Sequence, residues 1–308
     1  MHEEKEETKP KLRSSVNFYL YYWTILAFFI LVFINNYAET YDIKTVDLNL
    51  MISIVTFLFG FFVTVTFSML LTKISSLKEA IAVETGRLVS ILQLSKNLGA
   101  KFYESIRSHI DDYTIKTLKD YKSYQVGRNV LYAIYDDIPL MEMKTENQKA
   151  SANSLLYILG EWEPTREKLE YLTSRHVEFP LKLANYLLGT ILIILLFLNR
   201  GDTFTNALFI VLAATVIFIF LILEDFDALR IGDYTYNISN SEQLFDLIGT
   251  ERYYPEDLVN RVKLIEGRTY RIGVVNRKTN EERIYSIKYT PASFGTRLAN
   301  ITRALGKK

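Results

Sequence analysis

Residues 48–72 read LNLMISIVTFLFGFFVTVTFSMLLT, 25 consecutive positions without Asp, Glu, Lys or Arg. A helix needs about 20 apolar residues to cross ~30 Å of hydrocarbon, and this run exceeds that. Three other uncharged stretches approach or exceed it: residues 14–38 (25 positions), 183–199 (17) and 203–223 (21). The third is short, but Lys182 can snorkel from its end and Pro180 suits a helix start. One such run is compatible with a buried core helix. Four, arranged in two pairs, predict four membrane spans. The apolar stretch of the first, Phe18 to Ile34, is longer than the ~7–15 residues of a signal-peptide core, and no small-x-small site follows it. It is therefore expected to remain as a span, with Tyr19, Tyr21, Tyr22 and Trp23 as anchors at one interface.

The rest of the composition narrows the function. Among 308 residues, Lys plus Arg number 36 and Asp plus Glu 35, a net charge of +1. Such a balance carries no nucleic-acid footprint. Cysteine is absent, which excludes disulfide scaffolds, thiolate zinc sites, iron–sulfur clusters and Cys nucleophiles. His2, His109 and His176 are scattered. No Gly-rich phosphate loop, nucleophile elbow or metal-ligand spacing occurs, so no catalytic residue, cofactor or metal is expected. The spans carry no ionisable side chain other than Tyr, which argues against a pump built on intramembrane carboxylates. Lys5, Lys9, Lys11 and Arg13 precede the first span, Lys73, Lys78 and Arg87 follow the second, and Arg166, Lys168, Arg175 and Lys182 precede the third. The two short connections hold only Lys44 and Arg200. By the positive-inside rule both termini and the long middle segment are expected on the cytoplasmic side of a cell (inner) membrane.

Beyond Thr72 the chain continues as KISSLKEAIAVETGRLVSIL. No breaker separates Leu71 from Ile74, so the second span is expected to run on as one long helix. In heptad terms Ile74, Ile81 and Leu88 form one row, and Leu77, Glu84 and Ile91 the other. Glu84 thus interrupts an apolar seam. Buried, it needs a cationic or hydrogen-bonding partner or stays protonated; alternatively the stripe drifts and Glu84 is solvated. Further helices are predicted over Ala100 to Ser123 (Phe102, Ile106, Ile110, Tyr113 on one face) and around Asn129 to Ile138. Another should run from about Gln148 through Arg175 into the third span, with Pro164 kinking or restarting it.

The fourth span ends in Glu224-Asp225-Phe226-Asp227. Acidic residues oppose the macrodipole at a helix C-terminus, so they either answer a cationic neighbour or mark a solvated end. Farther on, Tyr270, Ile272 and Val274 alternate with polar or small residues, as do Tyr285, Ile287 and Tyr289. With Lys278-Thr279-Asn280 between them this predicts a β-hairpin, and Leu298, Ile301 and Leu305 predict a short final helix. The fold class is therefore mainly α: a four-span membrane protein with cytoplasmic helical extensions and a small C-terminal α+β appendage. The expected divisions are a charged cytoplasmic arm (1–15), a first transmembrane hairpin (16–71), a cytoplasmic helical bundle (72–179), a second hairpin (180–224), a post-span segment (225–251) and the hairpin-plus-helix appendage (252–308).

Three blocks share an order and spacing with a known family. They are Lys78-x-x-Ile81-x-x-Glu84-x-x-x-Leu88-x-x-Ile91 after the second span; Arg175 with Pro180, Tyr186 and Gly189 leading into the third; and Leu223-Glu224, Asp227, Gly232-Asp233, Ile238-Ser239 and Phe245 after the fourth. Over about residues 48 to 246 the chain resembles the bestrophin-like membrane proteins of bacteria and archaea. It departs from them at Leu229-Arg230, where the family usually carries a Pro-Phe pair. The resemblance implies a homo-oligomer, pentameric if it follows bestrophins, whose second spans surround a central ion pathway, with Lys78, Glu84, Arg175 and Asp227 as cytoplasmic coupling candidates.

The second span adds its own hint. Ser53, Thr56, Gly60, Thr64 and Ser68 recur at steps of three or four, within about 60° of one direction on a helical wheel, and Phe67 shares that face. The stripe either lines water at an oligomer axis, with Phe67 as a dewetting constriction, or packs small residues against another helix. The leading functional expectation is an oligomeric ion channel lined by this stripe, with the lipid bilayer, further copies of the chain and inorganic ions as partners. The other is a non-transporting membrane scaffold or sensor that acts through its cytoplasmic helices and C-terminal appendage.

Overall fold

The computed structural model describes residues 18–39, 46–120, 124–138, 143–229, 233–259, 262–275 and 282–291. The charged arm at 1–15, the turn at 278–280 and the final helix around Leu298 lie outside them. The described elements follow in the order α1 (Phe18–Tyr37), α2 (Val46–Leu98), α3 (Ala100–Asp120), α4 (Tyr124–Asp137), α5 (Glu146–Ser174), α6 (Phe179–Leu198), α7 (Thr203–Asp227), α8 (Asp233–Ile248), β1 (Tyr253–Pro255), β2 (Thr269–Val275) and β3 (Glu282–Lys288). The chain forms two compact units.

The membrane unit comprises Val16–Ser76 and Arg175–Ile231. It contains α1, the first part of α2, α6 and α7, each in a run long and apolar enough to cross a membrane. α7 packs against both α1 and α6. Leu31, Phe59, Leu192, Leu196, Phe209 and Ala213 form the centre of the core. Gly189 lets α6 and α7 approach closely, because a Cβ there would run into the Phe220 ring and Val216. Tyr21, Tyr22, Trp23, Phe29 and Phe33 of α1 stay exposed, as lipid-facing side chains do.

α7 opens with a capping box. The Asp202 carboxylate accepts from the amides of Phe204 (2.8 Å) and Thr205 (2.9 Å), and the Thr205 hydroxyl accepts from the Asp202 amide (3.2 Å). Beside it Arg200 is 3% exposed. Its guanidinium donates to the carbonyls of Phe197 (3.0 Å), Asn35 (3.4 Å) and Glu39 (3.0 Å) and lies 3.9 Å from the Phe197 ring centroid. Carbonyls at a helix C-terminus lack intrahelical donors, so this one side chain ties the end of α1 to the α6–α7 connection.

One expectation needs correction. The helix entering the third span does not run through Arg175: α5 ends at Ser174 and α6 begins at Phe179. Pro180 is the reason. It occupies the first turn of α6, and Glu178, with φ −56° and ψ 134°, is the non-helical N-cap. Proline lacks the N–H for a continuous ladder and crowds the residues before it out of the helical region. Pro164, by contrast, stays inside an unbroken α5.

The second unit comprises the described residues within Leu77–Ser174 and Gly232–Lys308. One hydrophobic core joins Leu88 and Ile91 of α2, Ile106 and Ile110 of α3, Ile134 of α4, Leu155 and Leu159 of α5, Phe245 of α8, and Tyr253, Ile272 and Val274 of the sheet. Strand order is β1-β2-β3. β2 and β3 are antiparallel, with Tyr270 opposite Ile287 and Ile272 opposite Tyr285, the hairpin that the alternation predicts. β1 adds in parallel, with Pro255 opposite Gly273. At Gly273 a Cβ would collide with the Tyr253 side chain, so glycine is what admits that ring. Arg271 of β2 clasps Asp111 of α3 with two bonds of 2.6 Å.

Candidate functional site

The α2 stripe lies outside the membrane unit's core. Ile52, Val55, Phe59, Val63, Thr66 and Leu70 turn inward, whereas Ser53, Thr56, Gly60, Thr64 and Ser68 are exposed. The two sets are about a third of a turn apart on the helix. Space beside Gly60 is open. Ser53 and Thr64 donate to the carbonyls of Asn49 (2.9 Å) and Gly60 (2.8 Å), four residues back, so both hydroxyls are satisfied without a partner helix. Phe67 differs from the rest of the stripe: half-buried, it meets Phe226 edge to face at 5.9 Å.

Asp227 is the hub of a polar cluster at the other end of α7. It is 4% exposed. Its carboxylate accepts from the Val177 amide (2.8 Å) and the Lys182 ammonium (3.3 Å), with His176 Nδ1 at 3.4 Å. Lys182 also reaches Glu224 at 2.6 Å, and the Tyr186 hydroxyl donates to Glu224. Lys73 of α2 donates to the backbone carbonyls of Arg175 (2.5 Å) and Asp227 (3.2 Å). The acidic end of the fourth span thus answers cations, the first of its two readings. A small cleft with room for about one water adjoins the cluster, lined by Thr66, Val177, Lys182, Asn185, Tyr186, Leu223 and Asp227. The Asn185 amide donates to Thr66 Oγ1 (2.7 Å) and to the Leu181 carbonyl (3.0 Å), and its buried Oδ1 has no partner among the described residues.

Glu84 forms the second cluster. It is 7% exposed and accepts on Oε1 from the Tyr113 hydroxyl, Trp162 Nε1 (3.1 Å) and Arg166 Nη1 (3.5 Å). Its seam neighbours Leu77, Ile81, Leu88 and Ile91 are all buried. Of the two readings of Glu84, burial with a cationic partner is therefore the one realised. Burial, reinforced by the Glu84 carboxylate, pushes the Tyr113 hydroxyl well above its ordinary range, which keeps it protonated as a donor.

The remaining candidates are more peripheral. Lys78 is exposed on α2. The Arg175 side chain is exposed, 3.9 Å from Glu178, and it is the Arg175 carbonyl that joins the Asp227 cluster. Sequence patterns did not single out Tyr113, Trp162, Lys73, Asn185 or Thr66 as site members. The one available signal was Asn185, the amide inside an otherwise apolar run.

Ser105, His109 and Asp137 also converge. Ser105 Oγ (3.4 Å) and Asp137 Oδ2 (3.2 Å) both approach the same ring nitrogen, Nε2. A nucleophilic relay needs the carboxylate on the opposite nitrogen, so this trio serves as a tie between α3 and α4. Among the described residues no three His, Asp or Glu side chains are grouped to hold a metal ion. Comparison with family models, with characterised proteins and with solved structures finds no match to this chain.

Proposed function

We propose that the chain is the subunit of an oligomeric ion channel of bestrophin-like architecture, with α2 lining a central pore. The observation that carries this reading is the exposure of the small residues Ser53, Thr56, Gly60, Thr64 and Ser68, alongside Phe57 and Phe61, on a membrane helix that packs Ile52, Val55, Phe59 and Val63 into its own unit. A small, hydroxyl-bearing stripe facing away from its own bundle suits an axis shared with further copies, where it borders water. The resemblance of the motif blocks implies the pentameric stoichiometry, and the Lys and Arg residues flanking the spans support a cytoplasmic position for both termini and the middle segment. Phe67, held against Phe226, fits a coupling role between α2 and the end of α7 better than a free constriction.

The test combines flux and assembly. Purified protein in liposomes is expected to dissipate a K⁺ or a Cl⁻ gradient, and the same detergent preparation to have the mass of a defined oligomer. Cysteines placed at Thr56, Gly60 and Thr64, with no native thiol in the background, should react with a water-soluble reagent. A monomer without flux, or uniform protection at all three positions, overturns the pore. A defined oligomer without flux favours the scaffold reading. What supports that reading is the exposed aromatic set of the second unit, Tyr132, Tyr157 and Tyr171.

A further inference from the structure

We propose that the buried Glu84 network is a register device: it fixes where α2 sits along α3 and α5 in the second unit. The seam it interrupts is otherwise repetitive. Leu77, Leu88 and Ile91, with Ile81, recur at heptad spacing and are all buried. A purely aliphatic seam packs almost as well after sliding by a turn or two, because apolar knobs still meet apolar holes. A charge in the seam removes that degeneracy. Glu84 takes its donors from two partner helices, Tyr113 on α3 and Trp162 and Arg166 on α5. A one-turn slip moves α2 by about 5.4 Å. That strips the carboxylate of all three donors and leaves Arg166, itself 3% exposed, without its counter-charge.

The fourth helix is shaped around the same pair. Gly127 of α4 lies against the Arg166 side chain, whose Nε would be 2.9 Å from a Cβ at that position. A notch in α4, two aromatic donors and a guanidinium thus meet one carboxylate. An ion pair is an expensive way to fill a core, since apolar side chains of similar volume usually serve stability as well or better. Specifying one packing among several is what the network adds. This holds whether or not the chain conducts.

The experiment uses the full chain in detergent or nanodiscs and reads register by cross-linking. Glu161 approaches Arg87, at 3.1 Å between the charged groups, so cysteines at 87 and 161 report the native register with a short bis-maleimide. Cysteine at Val83 or Ser90, each paired with 161, reports slipped ones. The parent protein is expected to link the 87–161 pair alone. In Glu84→Leu/Tyr113→Phe/Arg166→Leu the protein should melt no lower than the parent. Its 87–161 yield should nevertheless fall several-fold as the 83–161 or 90–161 product appears. Exclusive 87–161 linking in that folded variant overturns the proposal. Should the triple variant not fold, the pair Glu84→Gln and Glu84→Leu decides. Glutamine keeps an acceptor and should keep one register, whereas leucine should spread the products; the same pattern in both overturns the proposal.

Discussion

Gly189 stands where α6 and α7 come closest, with no room for a Cβ against Phe220 and Val216. Overpacking such a contact costs about 1–3 kcal/mol. Gly189→Val is therefore expected to lower the melting temperature of the detergent-purified protein, and Gly189→Val/Phe220→Ala to recover much of the loss. Failure of the smaller ring position to rescue would remove steric contact as the cause. Leu229, two residues after the last turn of α7, has φ 56° and is 2% exposed. A non-glycine residue in the left-handed region is held there by its surroundings, and here the buried leucine side chain holds it. Asp227, two positions earlier in the chain, was legible as an acidic helix end. Its attachment to the Val177 amide was not, because a backbone donor carries no residue signature.

Helices and strands interlock through a few charged side chains. Arg252, just before β1, bonds Glu242 (2.7 Å) and Asp246 (2.6 Å) of α8, and Arg268 before β2 also reaches Asp246. Burial alone would raise the Asp246 carboxyl, but bonds and charge from Arg252 and Arg268 outweigh it and hold the group below its ordinary range. Its folded value thus lies below the unfolded one. The contribution to stability is complete above about pH 4 and is lost as the pH falls through the folded value. Asp246→Asn should therefore destabilise the protein at neutral pH, and the gap to the parent should close in acid. An equal gap at pH 3 and pH 7 in thermal melts would show that Asp246 acts without its charge. At the α5–α6 junction the sequence led to the expectation of one helix through Arg175, and the backbone rule at Pro180 divides it into two.

At the scale of the molecule, the strands are part of a core rather than an ornament on it. Tyr253, Tyr254, Tyr270, Ile272 and Val274 are each no more than 1% exposed and share one core with α2, α3, α4, α5 and α8. Burying side chains of this size contributes about 1.5–3 kcal/mol each, so together they approach the ~5–15 kcal/mol that a domain has in total. Deleting residues 252–308 is expected to unfold the second unit while the membrane unit keeps its own core. Limited proteolysis should then cut within α3 and α4 and spare α6 and α7. Survival of protected amides at Ile106 and Ile110 in the truncated protein would contradict this. A functional test of the tail by deletion consequently reads loss of fold as well as loss of a partner surface.

Four uncharged runs of membrane length determined the spans, since hydrocarbon admits little else, and the lack of a breaker between Leu71 and Ile74 determined that α2 continues past its uncharged run. Period-2 alternation likewise sufficed for β2 and β3. These signals are local, each written within a few turns or residues. The rest was decided between segments distant in the chain. Glu84 could be solvated or buried until Tyr113, Trp162 and Arg166 came to it across 29 to 82 positions. The acidic end of α7 had no assigned cation until Lys182 and Lys73 met it, and the three-residue β1 is too short to show a period at all. Whether a polar residue costs or contributes depends on its partner, and a partner far along the chain is chosen only by the tertiary fold.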